Sequence, residues 1–476
     1  MIDGSPYQGY LYAYPHKTAY RPLRPRPALR DVWAAEPTDA LMLYLHLPFC
    51  EMRCGFCNLF TRANPPAEQV RAYLDQLRRQ AARVGGALGG RPGIARIAVG
   101  GGTPTYLTAG ELTEMFGILA DFGAPLGAVP TAVETSPATA TADRIAVLAE
   151  HGTTRVSIGV QSFLDGEAHA AGRPQKRAEV DRALATIRAH DIPELNLDLI
   201  YGIGGQTART WAYSLDAALA WRPEEIFLYP LYVRPLTGLG RRILPLSAPT
   251  GPVPAAGGEP AGTGTAGGEP AGIGTAGTGP VGAAGGDPWD TQRLALYRQG
   301  RDHLRAAGYR QLSMRHFRRA DLPDDDAPDY SCQDDGMVGL GCGARSYTAD
   351  LHYSFDYAVG IGQVRAIIDD YLRRPAADFD HAEVGFRLDG TEKRRRWLVK
   401  SLLRAEGFDP AGYRDRFGAD PGDDFPQLDT LAVRGWLRRE ADRLTLTDAG
   451  LERSDAIGPW LVSGPVRAAM AEHVPR

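Results

Sequence analysis

The sequence predicts an α/β fold: an open, partial barrel of six strand–helix units followed by a smaller, mostly helical, winged-helix-like module. Three observations carry this. From Leu41 onward, short apolar runs alternate with longer stretches of helical period. The turns between them are short, which implies parallel strands with helices packed outside. The residues least expected of a plain scaffold stand just past the ends of the apolar runs, where the strands of a parallel barrel present their chemistry. Six units are too few to close an eight-fold barrel, so the sheet is expected to stay open.

Taken in order, residues 1–40 form an arm rich in tyrosine, proline and basic residues, with no helical or strand period. Disordered tails are aromatic-poor, so this arm is expected to pack on the core; His16 and Lys17 are read as surface contacts, with reach to a substrate as the alternative. The barrel spans 41–246. Its first strand covers 41–47; behind Pro65 and Pro66, Val70, Tyr73, Leu74, Leu77 and Ala81 recur at helical spacing. A second strand over 97–99 ends in the glycine run 100–102, and Thr108 with Glu111 forms a capping box ahead of Leu112, Met115, Phe116 and Leu119. Strands over 132–135, 155–159, 195–200 and 226–231 follow, with helices through 145–148, 180–190 and 211–219.

Residues 247–288 are almost entirely glycine, alanine, proline and threonine with an internal near-repeat, a composition that cannot bury a core and reads as a disordered insertion. A barrel-closing segment is expected over 289–375, opening on a helix marked by Leu294, Tyr297 and Leu304 and including a glycine-rich loop over 337–346. The remainder, 376–476, carries amphipathic helices and then a short hairpin-like ending around 436–447, the order of a winged-helix module.

The net charge of −4 offers no long-range attraction to nucleic acid or anionic membrane. Arg394, Arg395 and Arg396 are diluted by Glu392, Asp423 and Asp424 and read as a solvated helix face. No stretch approaches the ~18 apolar residues of a membrane span, and there is no signal-peptide pattern, so a cytoplasmic protein without membrane or nucleic-acid partners is expected. The five cysteines suit a reducing compartment.

Three of them, Cys50, Cys54 and Cys57, form a C-x3-C-x2-C run directly after the first strand. Three thiolates on one loop suit an iron–sulfur cluster that leaves one iron open to a small molecule. Glu134, Gln161 and Asp198 lie in or at the ends of later strands and are expected at the same mouth; Asp198, in an apolar strand, needs a partner. Cys332 and Cys342 fit no metal-binding spacing and are read as buried free thiols.

The run from Tyr44 through His46, Pro48, Phe49 and the three cysteines, the Gly-Gly-Gly-Thr-Pro-Thr turn at 100–105, the Ser-x-Gly-Val-Gln-Ser-Phe segment at 157–163 and the Asn-x-Asp-Leu-Ile-Tyr-Gly segment at 196–202 together resemble radical S-adenosylmethionine (SAM) enzymes of the oxygen-independent coproporphyrinogen III oxidase-like family. The resemblance implies a radical SAM barrel. In it Cys50, Cys54 and Cys57 hold a [4Fe–4S] cluster, one or two SAM molecules bind, and reductive cleavage of SAM yields a 5′-deoxyadenosyl radical that abstracts hydrogen from a small-molecule substrate. It further implies that Tyr44 stands beside the cofactor, that Phe56 contacts the adenine or a second SAM, and that Gly101, Gly102 and Thr103 offer backbone N–H groups to the methionine part. Glu134, Gln161, Arg173 and Asp198 would then hydrogen-bond the bound SAM, and a flavodoxin or ferredoxin would supply the electron.

One departure separates this chain from the oxidase of the family. The oxidase has a further cysteine two residues past the third ligand, and here that position is Leu59. The Cys-Asn-Leu-Phe ending is more similar to the haem-chaperone and specialised branches, so a non-catalytic haem-binding protein is the alternative the resemblance allows.

Overall fold

In the computed structural model the described residues are 2–243, 287–323, 332–440 and 442–474. The expected insertion lies outside them except for its last two positions: Asp287 caps, and Pro288 opens, a helix over Pro288–Ala306.

The six expected strands form, at Leu41–Leu47, Ile94–Gly101, Thr131–Thr135, Arg155–Gln161, Glu194–Tyr201 and Glu225–Pro230. They pair in parallel and in chain order. Helices Ala67–Ala87, Ala109–Phe122, Ala142–Glu150, Arg177–Arg188 and Ala208–Leu219 connect them. The capping box is present, with the Glu111 N–H donating to Thr108 Oγ1 at 3.3 Å and the Thr108 N–H to Glu111 Oε2 at 2.9 Å. The helix it starts ends on Gly123 at φ 104°, a left-handed cap that favours glycine.

Both edges of this parallel run are extended, giving one 13-stranded open sheet. Past the sixth strand lies an antiparallel hairpin, Tyr309–Gln311 and His316–Arg319. Past the first strand the structure departs from the expected glycine-rich loop at 337–346. Met337–Leu340 is a seventh parallel strand lying against Leu41–Leu47, and it turns back into the antiparallel strand Arg345–Tyr347. Glycine is needed here for closeness: a Cβ on Gly339 would sit 2.2 Å from the Arg345 carbonyl oxygen. The glycines read as a loop serve a tight strand pair.

Strand periodicity sorts the side chains. Leu43 and Leu45, Ile97 and Val99, Val133, Val156 and Ile158, Leu195 and Leu197, and Ile226 and Leu228 are buried toward the helices. The alternate positions, which include Tyr44, His46, Glu134, Gln161, Asp198 and Tyr229, fall on the opposite, inner face. One face builds the core and the other builds the site.

The arm is not irregular throughout. It contains a short 3-10 turn over Lys17–Ala19, a strand over Arg21–Pro22 that extends the sheet edge, and a helix over Leu29–Trp33. Tyr7 and Tyr14 are buried, and the Tyr14 hydroxyl donates to Glu392 in the C-terminal portion. That portion has its own apolar cluster, built from Leu398, Leu402, Tyr413, Leu428 and Leu431 on helices Gly390–Leu402, Pro410–Phe417 and Gln427–Val433, with Phe425 just ahead of the last, then the hairpin Leu437–Arg439 and Leu444–Leu446. Its three consecutive arginines are engaged within the fold: Arg394 with Asp424 at 3.1 Å, Arg395 with the Leu461 carbonyl at 2.7 Å, and Arg396 with Asp334 at 3.2 Å.

Candidate active site

The cysteine loop is closed at its base by a parallel bridge between Phe49–Cys50 and Arg62–Ala63. Its middle is fastened by Gly55, whose N–H donates to Gly172 O at 2.9 Å and whose carbonyl accepts from Leu239 N at 2.7 Å. A Cβ on Gly55 would lie 2.9 Å from Ala171 O, so the two backbones could not approach this closely with any larger residue.

Each sulfur has a polar neighbour. Thr103 Oγ1 donates to Cys50 Sγ at 3.6 Å, Arg173 Nη1 to Cys54 Sγ at 3.5 Å, and Thr61 Oγ1 lies 3.9 Å from Cys57 Sγ. Burial pushes the Cys50 and Cys54 thiols up, opposed at Cys50 by the Thr103 hydrogen bond and at Cys54 by the Arg173 charge. Among the described residues no three His, Cys, Asp or Glu side chains converge on a single ion. A cluster asks for something different: each thiolate takes its own iron, and a soft three-sulfur set on one closed loop fits that requirement. Cys332 and Cys342 are free thiols outside this loop, Cys342 buried 3.8 Å from the Tyr73 hydroxyl.

Beside the loop stands the glycine turn at the end of the second strand. Gly101 has φ 111°, and a Cβ there would meet the His46 ring at 2.5 Å; a Cβ on Gly102 would come within 2.4 Å of the Phe49 carbonyl oxygen. The N–H groups expected to face a ligand are engaged within the protein. Gly101 N donates to Glu134 Oε2 at 3.2 Å, Gly102 N to Leu47 O at 2.7 Å and Thr103 N to Phe49 O at 2.7 Å. The turn thus locks the cysteine loop onto the sheet and orients Glu134.

His46 belongs to the same assembly and received no role from the sequence. Burial lowers its pKa to about 4, so the ring is neutral. Its Nε2 lies 3.1 Å from Phe60 O, which can only accept, leaving Nδ1 to accept from the Tyr44 hydroxyl at 3.2 Å. Tyr44 is thereby held against the loop's closing end.

Gln161 closes the fourth strand with φ 68°, next to a register shift in its pairing with the fifth. A left-handed, non-glycine residue in a bulge is a strained conformation of the kind that collects at functional sites. Arg173 is not a surface arginine. Besides Cys54 it reaches Gln175 Oε1 at 2.8 Å and lies 3.6 Å from where a Gly159 Cβ would stand. Phe56, by contrast, packs with Ala171, Ile200, Ile203, Leu231 and Leu239. Its ring supports the loop from an apolar cluster.

Glu134 and Asp198 face an inner hollow. Glu134 keeps accessible surface, yet burial and then the Asp198 charge raise its pKa to about 7. Burial raises Asp198 to about 6, against the lowering effect of the Asn196 Nδ2 hydrogen bond at 2.8 Å. Tyr10 of the arm is 43% exposed, although burial pushes its hydroxyl up, so it too looks into the hollow. Its ring lies 3.9 Å from the Arg315 guanidinium and 5.7 Å from Tyr12, placing the arm over the mouth of the barrel. Lys17 Nζ stands 3.2 Å above the Tyr357 ring, and the Tyr357 hydroxyl donates to Asn58 O in the cysteine loop at 2.7 Å.

Residues 44–218 match the Radical SAM superfamily. The chain carries a radical SAM domain. All three loop cysteines and every residue expected to contact SAM fall within it. The oxygen-independent coproporphyrinogen III oxidase of Pseudomonas aeruginosa is 25% identical over 94% of this chain and 91% of its own length. The heme chaperone HemW of Bacillus subtilis is 31% identical over 41% of this chain and 51% of its own length. The solved structure of coproporphyrinogen III oxidase (HemN) from Escherichia coli superposes with a TM-score of 0.73 over 95% of this chain and 97% of that one, at 21% identity, which establishes a shared fold. Outside the radical SAM domain, Tyr357 and Arg345 converge on the cysteine loop and the arm without any local sequence signal. Among the described residues no helix is long and apolar enough to cross a membrane.

Proposed function

We propose that this protein is a radical SAM enzyme acting on a small organic substrate. The observation that carries the reading is one loop bearing Cys50, Cys54 and Cys57, closed at its base, fastened at Gly55 and capped by Thr103 and Arg173, beside a hollow with two inward carboxyl groups. A [4Fe–4S] cluster with one or two SAM molecules would supply reductive cleavage of SAM to a 5′-deoxyadenosyl radical and hydrogen abstraction there. A small electron-transfer protein such as a flavodoxin or ferredoxin is the reductant in this reading.

The chain's own residues have distinct tasks. Thr103 and Arg173 donate toward the sulfurs and stabilise negative charge on them. Glu134, held by the Gly101 N–H, and Asp198 present acceptors for ribose hydroxyls or an ammonium group. Tyr10, Tyr12 and Tyr44 wall the hollow with rings, and the arm limits access of water.

Leu59 is 48% exposed on the loop, where the oxidase branch has its further cysteine. This favours a reaction other than coproporphyrinogen decarboxylation, and it also favours the second reading, a haem-binding chaperone on the same scaffold. Anaerobic cluster reconstitution followed by dithionite reduction with SAM separates them. Release of 5′-deoxyadenosine, lost in Cys54→Ser, supports the enzyme; haem binding without nucleoside supports the chaperone.

A further inference from the structure

Glu51 directly follows the first cysteine of the loop and takes no part in the contacts described so far. Ser136 Oγ donates to its Oε1 at 2.8 Å. Behind Ser136 three more hydroxyls stand in line: Thr139 Oγ1 at 2.9 Å from Ser136 Oγ, Thr105 Oγ1 at 2.6 Å from Thr139 Oγ1, and Thr135 Oγ1 at 2.7 Å from Thr105 Oγ1. All four residues are buried. A hydroxyl has one proton to give, so donation by Ser136 to the carboxylate leaves Thr139 to donate to Ser136, Thr105 to Thr139 and Thr135 to Thr105. Every donor in the chain then points toward Glu51, and hydrogen bonds aligned in this way reinforce one another. The chain fixes one carboxylate against the cysteine loop.

The charge held there has no counter-charge in contact with it. Glu51 Oε2 is buried without a hydrogen-bond partner, and among the described residues no cation forms an ion pair with Glu51. Arg53, two positions on, instead donates from Nη2 to Val359 O at 2.5 Å, and Arg144 reaches Thr139 O at 3.4 Å. Burial is the first cause that raises the Cys50 and Cys54 thiols, and the Glu51 charge adds to it at both. Thr103 and Arg173 donate toward the same two sulfurs and act in the opposite sense. Local charge and hydrogen bonds to the sulfurs set the reduction potential of an iron–sulfur cluster, so the balance among these three side chains decides how strong a reductant a cluster on this loop becomes.

We propose that Glu51, held by the hydroxyl chain that starts at Ser136, is a positioning residue that lowers the reduction potential of a cluster on Cys50, Cys54 and Cys57. The proposal rests on the enzyme reading above. Glu51 makes and breaks no bond; it makes one electron harder to place on the cluster from the reductant and easier to pass on to SAM.

The test is an anaerobic redox titration of the reconstituted full chain, with the reduced cluster followed by electron paramagnetic resonance. Glu51→Gln keeps the shape and the oxygen that accepts from Ser136 but removes the charge. It is expected to raise the midpoint potential, making reduction about tenfold more favourable, which is about 59 mV for one electron. Glu51→Asp, which keeps the charge, should lie nearer wild type. Ser136→Ala should shift the midpoint in the same direction by less, because a released carboxylate turns to water and is screened. The exposed Glu150→Gln removes the same charge at the end of helix Ala142–Glu150, where the chain turns back to start the fourth strand away from the mouth, and should leave the potential unchanged. Iron content checks that each variant holds the cluster, and Ser136→Ala decides alone if Glu51→Gln holds none. Equal midpoints for wild type and Glu51→Gln, or an equal shift in Glu150→Gln, overturn the proposal. Nucleoside release by a wild type whose midpoint ignores Glu51 would defeat only this assignment; a midpoint that follows Glu51 in a protein releasing no nucleoside would defeat only the enzyme reading.

Discussion

Glu134 carries a proton in the fold that it would lose in the unfolded chain, since its pKa rises from 4.5 to about 7. The folded state therefore binds more protons between those values, and stability falls as pH rises through that window and levels off above it. Glu134→Gln removes this dependence. Its unfolding midpoint relative to wild type should improve between about pH 5 and about pH 8 by a difference on the order of 1 kcal/mol, a figure reduced for water in the hollow; parallel pH profiles for the two proteins would contradict the assignment. The residues of this pair were legible in the sequence because strand alternation and a charged residue inside an apolar strand both mark an inward position. Arg345, Tyr12 and Tyr357 were not, because what brings them together is contact between the arm and distant strands, with no local period to read.

At the level of elements, the Gly100–Gly102 turn shows how a readable motif carries a structural task that its sequence does not announce. The three glycines stood out in the sequence as a ligand cradle; in the fold the N–H groups of Gly101, Gly102 and Thr103 fasten Glu134 and the base of the cysteine loop. Gly102→Ala would drive a Cβ to 2.4 Å from the Phe49 carbonyl oxygen. It should destabilise the fold by about 1–3 kcal/mol in denaturant unfolding, the range of forced overpacking, and lower the iron bound on reconstitution. Thr108→Ala, which removes the capping box at the next helix, should cost about 1 kcal/mol and leave bound iron unchanged, so the pair separates general destabilisation from damage to the loop. The six strands and their order could be read because each apolar run is bounded by turns and followed by a helical period. The seventh, Met337–Leu340, could not: it is four residues long, interrupted by Gly339, and defined by its neighbour Leu41–Leu47.

At the scale of the whole molecule, three chain segments meet at Asp455. Its carboxylate takes Arg315 and the Tyr232 hydroxyl, and its carbonyl accepts from Gly9 N at 3.0 Å. Side-chain exposure of Arg315 and Asp455 is 4% and 1%, so removing one partner strands a buried charge. Arg315→Met should destabilise by about 3–5 kcal/mol, and the double change Arg315→Met with Asp455→Leu should recover much of that, both read from denaturant midpoints. No sequence pattern announces this junction, since Arg315 and Asp455 are 140 positions apart. The central claim is that the loop of Cys50, Cys54 and Cys57 serves SAM cleavage, and one measurement bears on it most directly: 5′-deoxyadenosine formed under anaerobic, dithionite-reduced conditions after cluster reconstitution. Wild type should produce the nucleoside and Cys54→Ser should produce none; equal amounts from the two proteins, or none above background from wild type, would contradict the account.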